Sequence, residues 1–165
     1  MGLRLAEQRD ISALTEIYNQ AIARRCTADT DPFTVEQRQG FLDAHRDSAY
    51  PLYVLEHEGQ CVGYVYLTAY RPGRKAMRYL AEVSYYVHDS FQRQGYGSQL
   101  LAFAINMARQ LGYRQLVAIL LNTNEGSVAL LEKYQFERWG MLPDVADFDG
   151  QTCSHLYYGL RLREF

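Results

Sequence analysis

The chain has 165 residues, of which 48% are hydrophobic and 22% charged, and its formal net charge is −2. That length predicts one domain, residues 1–165, with enough apolar residues for its own core, and the composition excludes a disordered or membrane chain. No apolar run approaches a membrane span, and the near-neutral balance excludes a broad basic face for nucleic acid, so any bound anion is held locally.

The N-terminal MGLRLAEQRD lacks the apolar core and cleavage site of a secretory signal, which leads to the expectation of a cytoplasmic protein with no membrane partner. Ala6 stands where a myristoylation motif wants serine or threonine. The cysteines Cys26, Cys61 and Cys153 are odd in number and widely spaced, and the four histidines are scattered singly. Neither a disulfide framework nor a metal site is expected.

A short strand over Leu3 to Ala6 comes first, followed by a helix with Asp10 as its cap and Ile11, Leu14, Ile17, Tyr18 and Ala21 on one face. Arg24 to Phe33 is a loop, and Thr34, with Glu36 and Gln37 behind it, starts a second helix that buries Phe41 and Leu42. LYVLEHEGQCVGYVYLTAY contains two β-rich runs around Glu58-Gly59-Gln60, which predicts a hairpin. RPGRKAMR is a turn, and Tyr79 to Val87 is the next strand.

A helix from Gly95 to Leu111 follows, with Gly112 as a left-handed cap, and RQLVAIL reads as a strand covered on both faces. Asn124 or Ser127 opens a last helix through Leu130, Leu131 and Tyr134. Phe136 to Met141 and Ser154 to Leu162 close the chain as strands, with a loop between them. The order β-α-α-β-β-β-α-β-α-β-β predicts a mixed α/β sandwich with an antiparallel start and a strand-helix-strand crossover in the middle.

Two glycines, Gly95 and Gly97, stand at the start of the long helix, where each costs about 1 kcal/mol relative to alanine. A helix start presents unsatisfied N–H groups and the positive end of the dipole, and glycine keeps a Cβ out of a phosphate's way. Arg93 adds a charge just before it, and Gln94 to Ser98 supply successive amides. A plain turn is the alternative for an isolated GxG.

QRQGYG, Gln92 to Gly97, lies between Glu82 upstream and NTNEGSVALLEKYQF downstream. In that order the sequence resembles the GNAT superfamily of acetyl-CoA-dependent N-acetyltransferases, in which a Q/RxxGxG/A segment at a helix start cradles the coenzyme pyrophosphate. Within it, YPLYVLEHEGQCVGYVYL, AEVSYYVHDSFQRQGYGSQLL and the N-x-x-S-x-x-L stretch are similar to the phosphinothricin acetyltransferase-like subgroup.

The resemblance implies a GNAT-type fold, a mostly antiparallel central sheet with helices on both faces and a splayed strand pair. It implies that the backbone of Tyr85, Tyr86 and Val87 meets the acetyl and pantetheine groups, that Arg93, Gln94, Gly95, Tyr96, Gly97 and Ser98 bind phosphates, and that Asn124 is a further coenzyme contact. It also implies a homodimer, which 14 tyrosines suit, since aromatic residues favour interface cores.

An amine must lose a proton to attack a thioester. By the same resemblance Glu82 is the base. Strand alternation sets Glu82, Ser84 and Tyr86 on one face and Val83, Tyr85 and Val87 on the other, and apolar neighbours would raise the carboxyl's proton affinity. A rim carboxylate paired to Arg71 or Arg78 is the alternative. Holding both substrates in one cleft needs no covalent intermediate, and a strand amide near Tyr86 or Val87 would stabilise the oxyanion.

The family pattern places a tyrosine or histidine before the Glu of LLEKYQF, where this chain has Leu131. Tyr134, three residues on, has a route back over Leu131 and is the candidate substitute acid. The competing reading packs Tyr134 beside Phe136, with water protonating the thiolate.

The expected acceptor is a small-molecule primary amine such as an amino acid or analogue, whose carboxylate Arg71, Arg74 or Arg78 would hold. Asp144, Asp147 and Asp149 point instead to an aminoglycoside. The rival functions are a non-catalytic acyl-CoA-binding module and a transferase acting on a protein amine.

Overall fold

Seven strands join into one sheet in the computed structural model, which describes residues 2–163. They are β1 (Gly2–Leu5), β2 (Leu52–His57), β3 (Gln60–Ala69), β4 (Leu80–Val87), β5 (Gln115–Leu121), β6 (Glu137–Phe148) and β7 (Gln151–Arg161). Their order is β1-β2-β3-β4-β5-β7-β6, and only β4 and β5 run parallel. That pair is joined by the long helix α3 (Tyr96–Gln110), the crossover that parallel neighbours require. The other helices are α1 (Ile11–Ala23), α2 (Val35–Ala44) and α4 (Glu125–Lys133), in the predicted order.

Helices cover both faces. On one, α1 and α2 bring Ile11, Leu14, Ile17 and Leu42 against Leu52, Val54 and Tyr64. On the other, Leu100, Leu101 and Ala104 of α3 and Leu131 of α4 pack on Val62, Val65, Ala81, Val83 and Leu116. Gly63 lets α3 come close, since a Cβ there would lie 2.8 Å from the Tyr86 carbonyl oxygen and 3.1 Å from Leu100 Cδ1. Among the described residues no helix is long and apolar enough to cross a membrane.

Local chemistry explains most element boundaries. Thr34 Oγ1 accepts from Gln37 N at 3.2 Å while Thr34 N donates to Gln37 Oε1 at 2.8 Å, a reciprocal cap that starts α2. Glu58 and Gly59 have φ of +51° and +78°, so the β2–β3 hairpin closes in two residues and Gln60 already belongs to β3.

Two expectations are corrected, and one core residue was not expected. Asp10 precedes α1 but does not cap it, because its backbone is already helical, with φ −87° and ψ −8°. Its buried carboxylate instead accepts two bonds from Arg4, both 2.8 Å, and one from Glu7 N at 2.7 Å, tying β1 to the following turn. Arg38 was not foreseen as a core residue; it is 9% exposed, with its guanidinium 4.3 Å from the Tyr18 ring centroid and 4.0 Å from that of Phe41.

The second correction concerns the predicted loop after Met141, most of which is strand. Asp149-Gly150, with φ +54° and +92°, makes a two-residue hairpin turn that carries β6 and β7 well beyond their predicted ends. Register shifts fall at Arg138/Gly140 and Leu142/Ala146, and the second accommodates Pro143, which has no N–H for the ladder. Trp139, in the first shift, lies flat on Gly159, where a Cβ would fall 2.0 Å from the indole.

Candidate active site

The parallel ladder between β4 and β5 ends early. It pairs Leu80 with Gln115, Ala81 with Leu116 and Glu82 with Val117, after which the strands part. Each keeps its outer partner: β4 stays on β3 as far as Val87–Gly63, and β5 stays on β7 as far as Leu121–His155. The divergence opens a cleft of about 530 Å³ lined by Val83 to Val87, Ala118 to Leu120, the start of α3 and one face of α4.

Backbone alternation decides which groups of β4 face that cleft. His88 N donates to Val62 O at 2.8 Å, so the same-parity residues Tyr86 and Ser84 also turn their backbone groups to β3. Val83, Tyr85 and Val87 turn theirs toward the opening. Of the expected trio, Tyr85 and Val87 therefore offer backbone to the cleft, while the Tyr86 amide belongs to the β3 ladder. The Val87 carbonyl accepts from Gln92 Nε2 at 2.6 Å, which ties the strand end to the following turn.

That turn ends in Arg93 and Gly95, both left-handed with φ +60° and +86°, and Gly95 is the N-cap of α3 with no side-chain cap. The helical ladder begins with Gln99 N to Gly95 O at 3.2 Å, so the amides of Tyr96, Gly97 and Ser98 precede it. Gln92, Arg93, Gly95, Tyr96, Gly97 and Ser98 all line the cleft. Gln94 turns away, its Nε2 3.4 Å from Ser90 O. The two glycines have different reasons: Gly95 needs its positive φ and has open space before it, whereas a Cβ on Gly97 would touch Leu130 Cδ2 at 3.4 Å. The Tyr96 side chain is buried against Phe91 and His57, so Tyr96 can serve a ligand only through its backbone.

The side chains of β4 divide as alternation predicts. Tyr86 lies on the α1 face, edge-on to Tyr18 at 5.3 Å. Tyr85 points to the α3 and α4 face, where its hydroxyl is buried without a hydrogen-bond partner and burial pushes its pKa up to about 12. Glu82 shares the Tyr86 face and stands opposite Thr68. Burial raises its carboxyl above the ordinary range, and its charge is felt by Tyr66 and Tyr157. Among the described residues it has no salt bridge, and Arg78 is occupied with Lys75 O at 2.9 Å and the Tyr79 ring at 4.4 Å.

Asn124 lines the cleft and caps α4, its Oδ1 accepting from Ser127 N at 3.3 Å. Leu131 also faces the cleft and is 1% exposed. Tyr134 ends the helix and reaches α3 instead: its hydroxyl is 2.9 Å from Ser98 Oγ and donates to Ser98 O at 3.2 Å. Residues that sequence reasoning missed are Arg24 and Cys26 on the cleft wall, and Tyr66 and Tyr157 beside Glu82. The tyrosines stand one strand away on either side of the β4–β5 pair, a neighbourhood that only sheet order reveals.

The acetyltransferase (GNAT) family profile matches residues 13–136. A protein of Bacillus subtilis (strain 168) with the provisional name phosphinothricin acetyltransferase YwnH is 42% identical over 164 residues, covering 98% of this chain and 99% of the relative. The L-methionine sulfoximine/L-methionine sulfone acetyltransferase of Salmonella typhimurium (strain LT2) is 31% identical over 170 residues, covering 99% and 96%. Among solved structures, a GNAT superfamily phosphinothricin acetyltransferase from Sinorhizobium meliloti in complex with acetyl-CoA superposes with a TM-score of 0.90 at 26% identity, covering 97% and 87%.

The buried carboxyl has a signature in the protein alone. Because the folded state raises the Glu82 pKa, it holds that proton over a window where the unfolded chain has released it, and stability falls as pH rises through the window. Glu82→Gln removes the penalty. Its melting temperature should exceed that of wild type at neutral pH, with the difference shrinking as pH falls to the ordinary glutamate range of about 4. A pH-independent difference in thermal melts would contradict burial as the cause.

Proposed function

The chain belongs to the acetyltransferase (GNAT) family, and on that premise we propose that it transfers the acetyl group of acetyl-CoA to the primary amine of a small molecule, an amino acid or an analogue such as phosphinothricin or methionine sulfoximine. The observation that carries this reading is the cleft between diverging strands that runs into an N-terminus of α3 with no side-chain cap. Acetyl-CoA fits there: Arg93 and the amides of Gly95 to Ser98 suit its phosphates, the backbone of Tyr85 and Val87 suits the amides of its arm in the manner of an added strand, and Asn124 lies on the same wall. When bound it supplies a thioester carbonyl open to nucleophilic attack.

The chain's own part is to hold the two substrates together, take one proton and exclude water. Glu82, on the opposite sheet face, accepts the amine proton; its raised proton affinity brings it nearer to working pH than an exposed glutamate. Arg71 lies close enough to Tyr157 to influence it, and so near the base, which suits the carboxylate of an amino acid. A cationic acceptor such as an aminoglycoside is the second reading, favoured by a neighbouring cleft of about 580 Å³ lined by Asp29, Asp31, Asp147 and Asp149. Tyr134 reaches the cleft only through Ser98, so as an acid it would act by way of that hydroxyl. The same reading makes the protein a cytoplasmic enzyme, since acetyl-CoA is a cosubstrate of central metabolism.

A homodimer belongs to this proposal. The edge strand β6 leaves Trp139, Met141, Leu142 and Val145 between 44% and 56% exposed, an apolar strip that a second copy would cover.

Free-thiol release from acetyl-CoA, measured across amino acids, their analogues and aminoglycosides, tests the function; no release with any amine would leave only a binding module. Acetyl-CoA should raise the wild-type melting temperature by mass action, and Gly95→Val, which puts a β-branched residue at φ +86°, should lose that rise while still melting cooperatively. Glu82→Gln should lower kcat by about 100-fold or more with acetyl-CoA binding unchanged. Should its pH–rate profile match wild type, Glu82 is not the base. Light scattering at micromolar concentration should give the mass of two chains, and a monomer there rejects the dimer.

A further inference from the structure

When a thioester is cleaved its sulfur leaves with the bonding electron pair, and charge builds on an atom that lies inside the cleft, away from bulk water. Charge in such a place needs a donor beside it. Of the α4 residues that line the cleft, Ser127, Leu130, Leu131 and Lys133 among them, only Leu131 is buried, and it has no proton to offer. Tyr134 already gives its hydroxyl proton to the Ser98 carbonyl. Tyr85 is different: the residue lines the cleft, its side chain packs on the α3 and α4 side, and its buried hydroxyl meets no acceptor.

Its position follows from the fold. Tyr85 projects from the free stretch of β4 toward the first turn of α4, where its hydroxyl lies beside Ser127 without reaching hydrogen-bond geometry. Ser127 and Leu131 are four residues apart on α4, so they stack on one helix face with Cβ atoms about 5–6 Å apart. Leu131 leans back toward Ser127, as long helical side chains do. The Tyr85 hydroxyl therefore sits about one helical turn from the apolar Leu131 side chain.

We propose that the Tyr85 hydroxyl is the hydrogen-bond donor that receives the charge developing on the coenzyme sulfur, a role that rests on acetyl-CoA being the cosubstrate. The new bond joins the amine nitrogen to the acetyl carbon, the carbon–sulfur bond breaks with its electrons going to sulfur, and Glu82 takes the amine proton. Tyr85 keeps its own. Its pKa of about 12 lies well above the roughly 8.5 of an ordinary thiol, so full transfer to the thiolate would run uphill. The same burial keeps the phenol neutral, and so a donor, at every working pH. The thiolate takes its proton from water after the acetyl group has gone.

The test uses the product, free coenzyme A, and the variant Tyr85→Phe, which removes one oxygen. The thiol of bound coenzyme A is titrated by its ultraviolet thiolate absorbance. A hydrogen bond to the thiolate favours the charged form, so the bound thiol should titrate about one unit lower on wild type than on Tyr85→Phe. With the preferred amine, kcat should fall about ten-fold in the variant while KM for acetyl-CoA stays put. A purely structural role for Tyr85 would not separate the two titrations, and identical curves on two proteins that both bind coenzyme A overturn the proposal alone. If wild type does not bind coenzyme A at all, the cosubstrate reading falls and takes this assignment with it.

Discussion

The site depends on the place where one ladder of hydrogen bonds stops. Up to Glu82 and Val117, β4 and β5 are ordinary parallel neighbours; beyond them β4 follows β3 and β5 follows β7. Since each strand stays paired on its outer side, the split costs only the inner ladder. The backbone groups left over, those of Tyr85 and the amide of Val87, face a cleft instead of a neighbouring strand, while the Val87 carbonyl is taken by Gln92 Nε2. Unmade hydrogen bonds of this kind cost about 1–3 kcal/mol each when buried, which makes the opening a place that favours an occupant with amides of its own. Gly63 supports the arrangement from behind by letting α3 pack closely on β3 and β4.

The proposed anion site depends on backbone direction more than on charge. The chain carries a slight negative excess, yet the turn after β4 ends in two left-handed residues and brings the uncapped start of a 15-residue helix to the mouth of the cleft. Such a terminus concentrates several N–H groups and the positive end of the helix dipole on one spot, an effect limited to the first turn and thus insensitive to net charge. Arg93 adds the charge that the backbone lacks.

One strand presents two different faces because its side chains alternate. Glu82, Ser84 and Tyr86 meet the α1 and α2 side, while Val83, Tyr85 and Val87 meet the α3 and α4 side. A slip of one residue in the β3–β4 register would exchange the two sets, and the buried aromatic packing of Tyr64, Tyr86 and Tyr18 on one face sets a strong penalty against it.

Amino-acid order alone determined the element order, the helix starts at Thr34 and Gly95, the division of β4 into two faces, and the family, because each rests on interactions within a few residues or on a contiguous motif. The extent of β6 and β7 was written locally in Asp149-Gly150 but hidden by the polar residues around it. Tertiary structure alone decided the rest. Strand order brought Tyr66 and Tyr157 beside Glu82 from far along the chain. Helix packing turned Tyr134 to Ser98 and buried Arg38 among aromatic rings. The end of the β4–β5 ladder, from which the cleft arises, comes from which outer partner each strand keeps, and pairing between distant segments leaves no mark in the sequence of either strand.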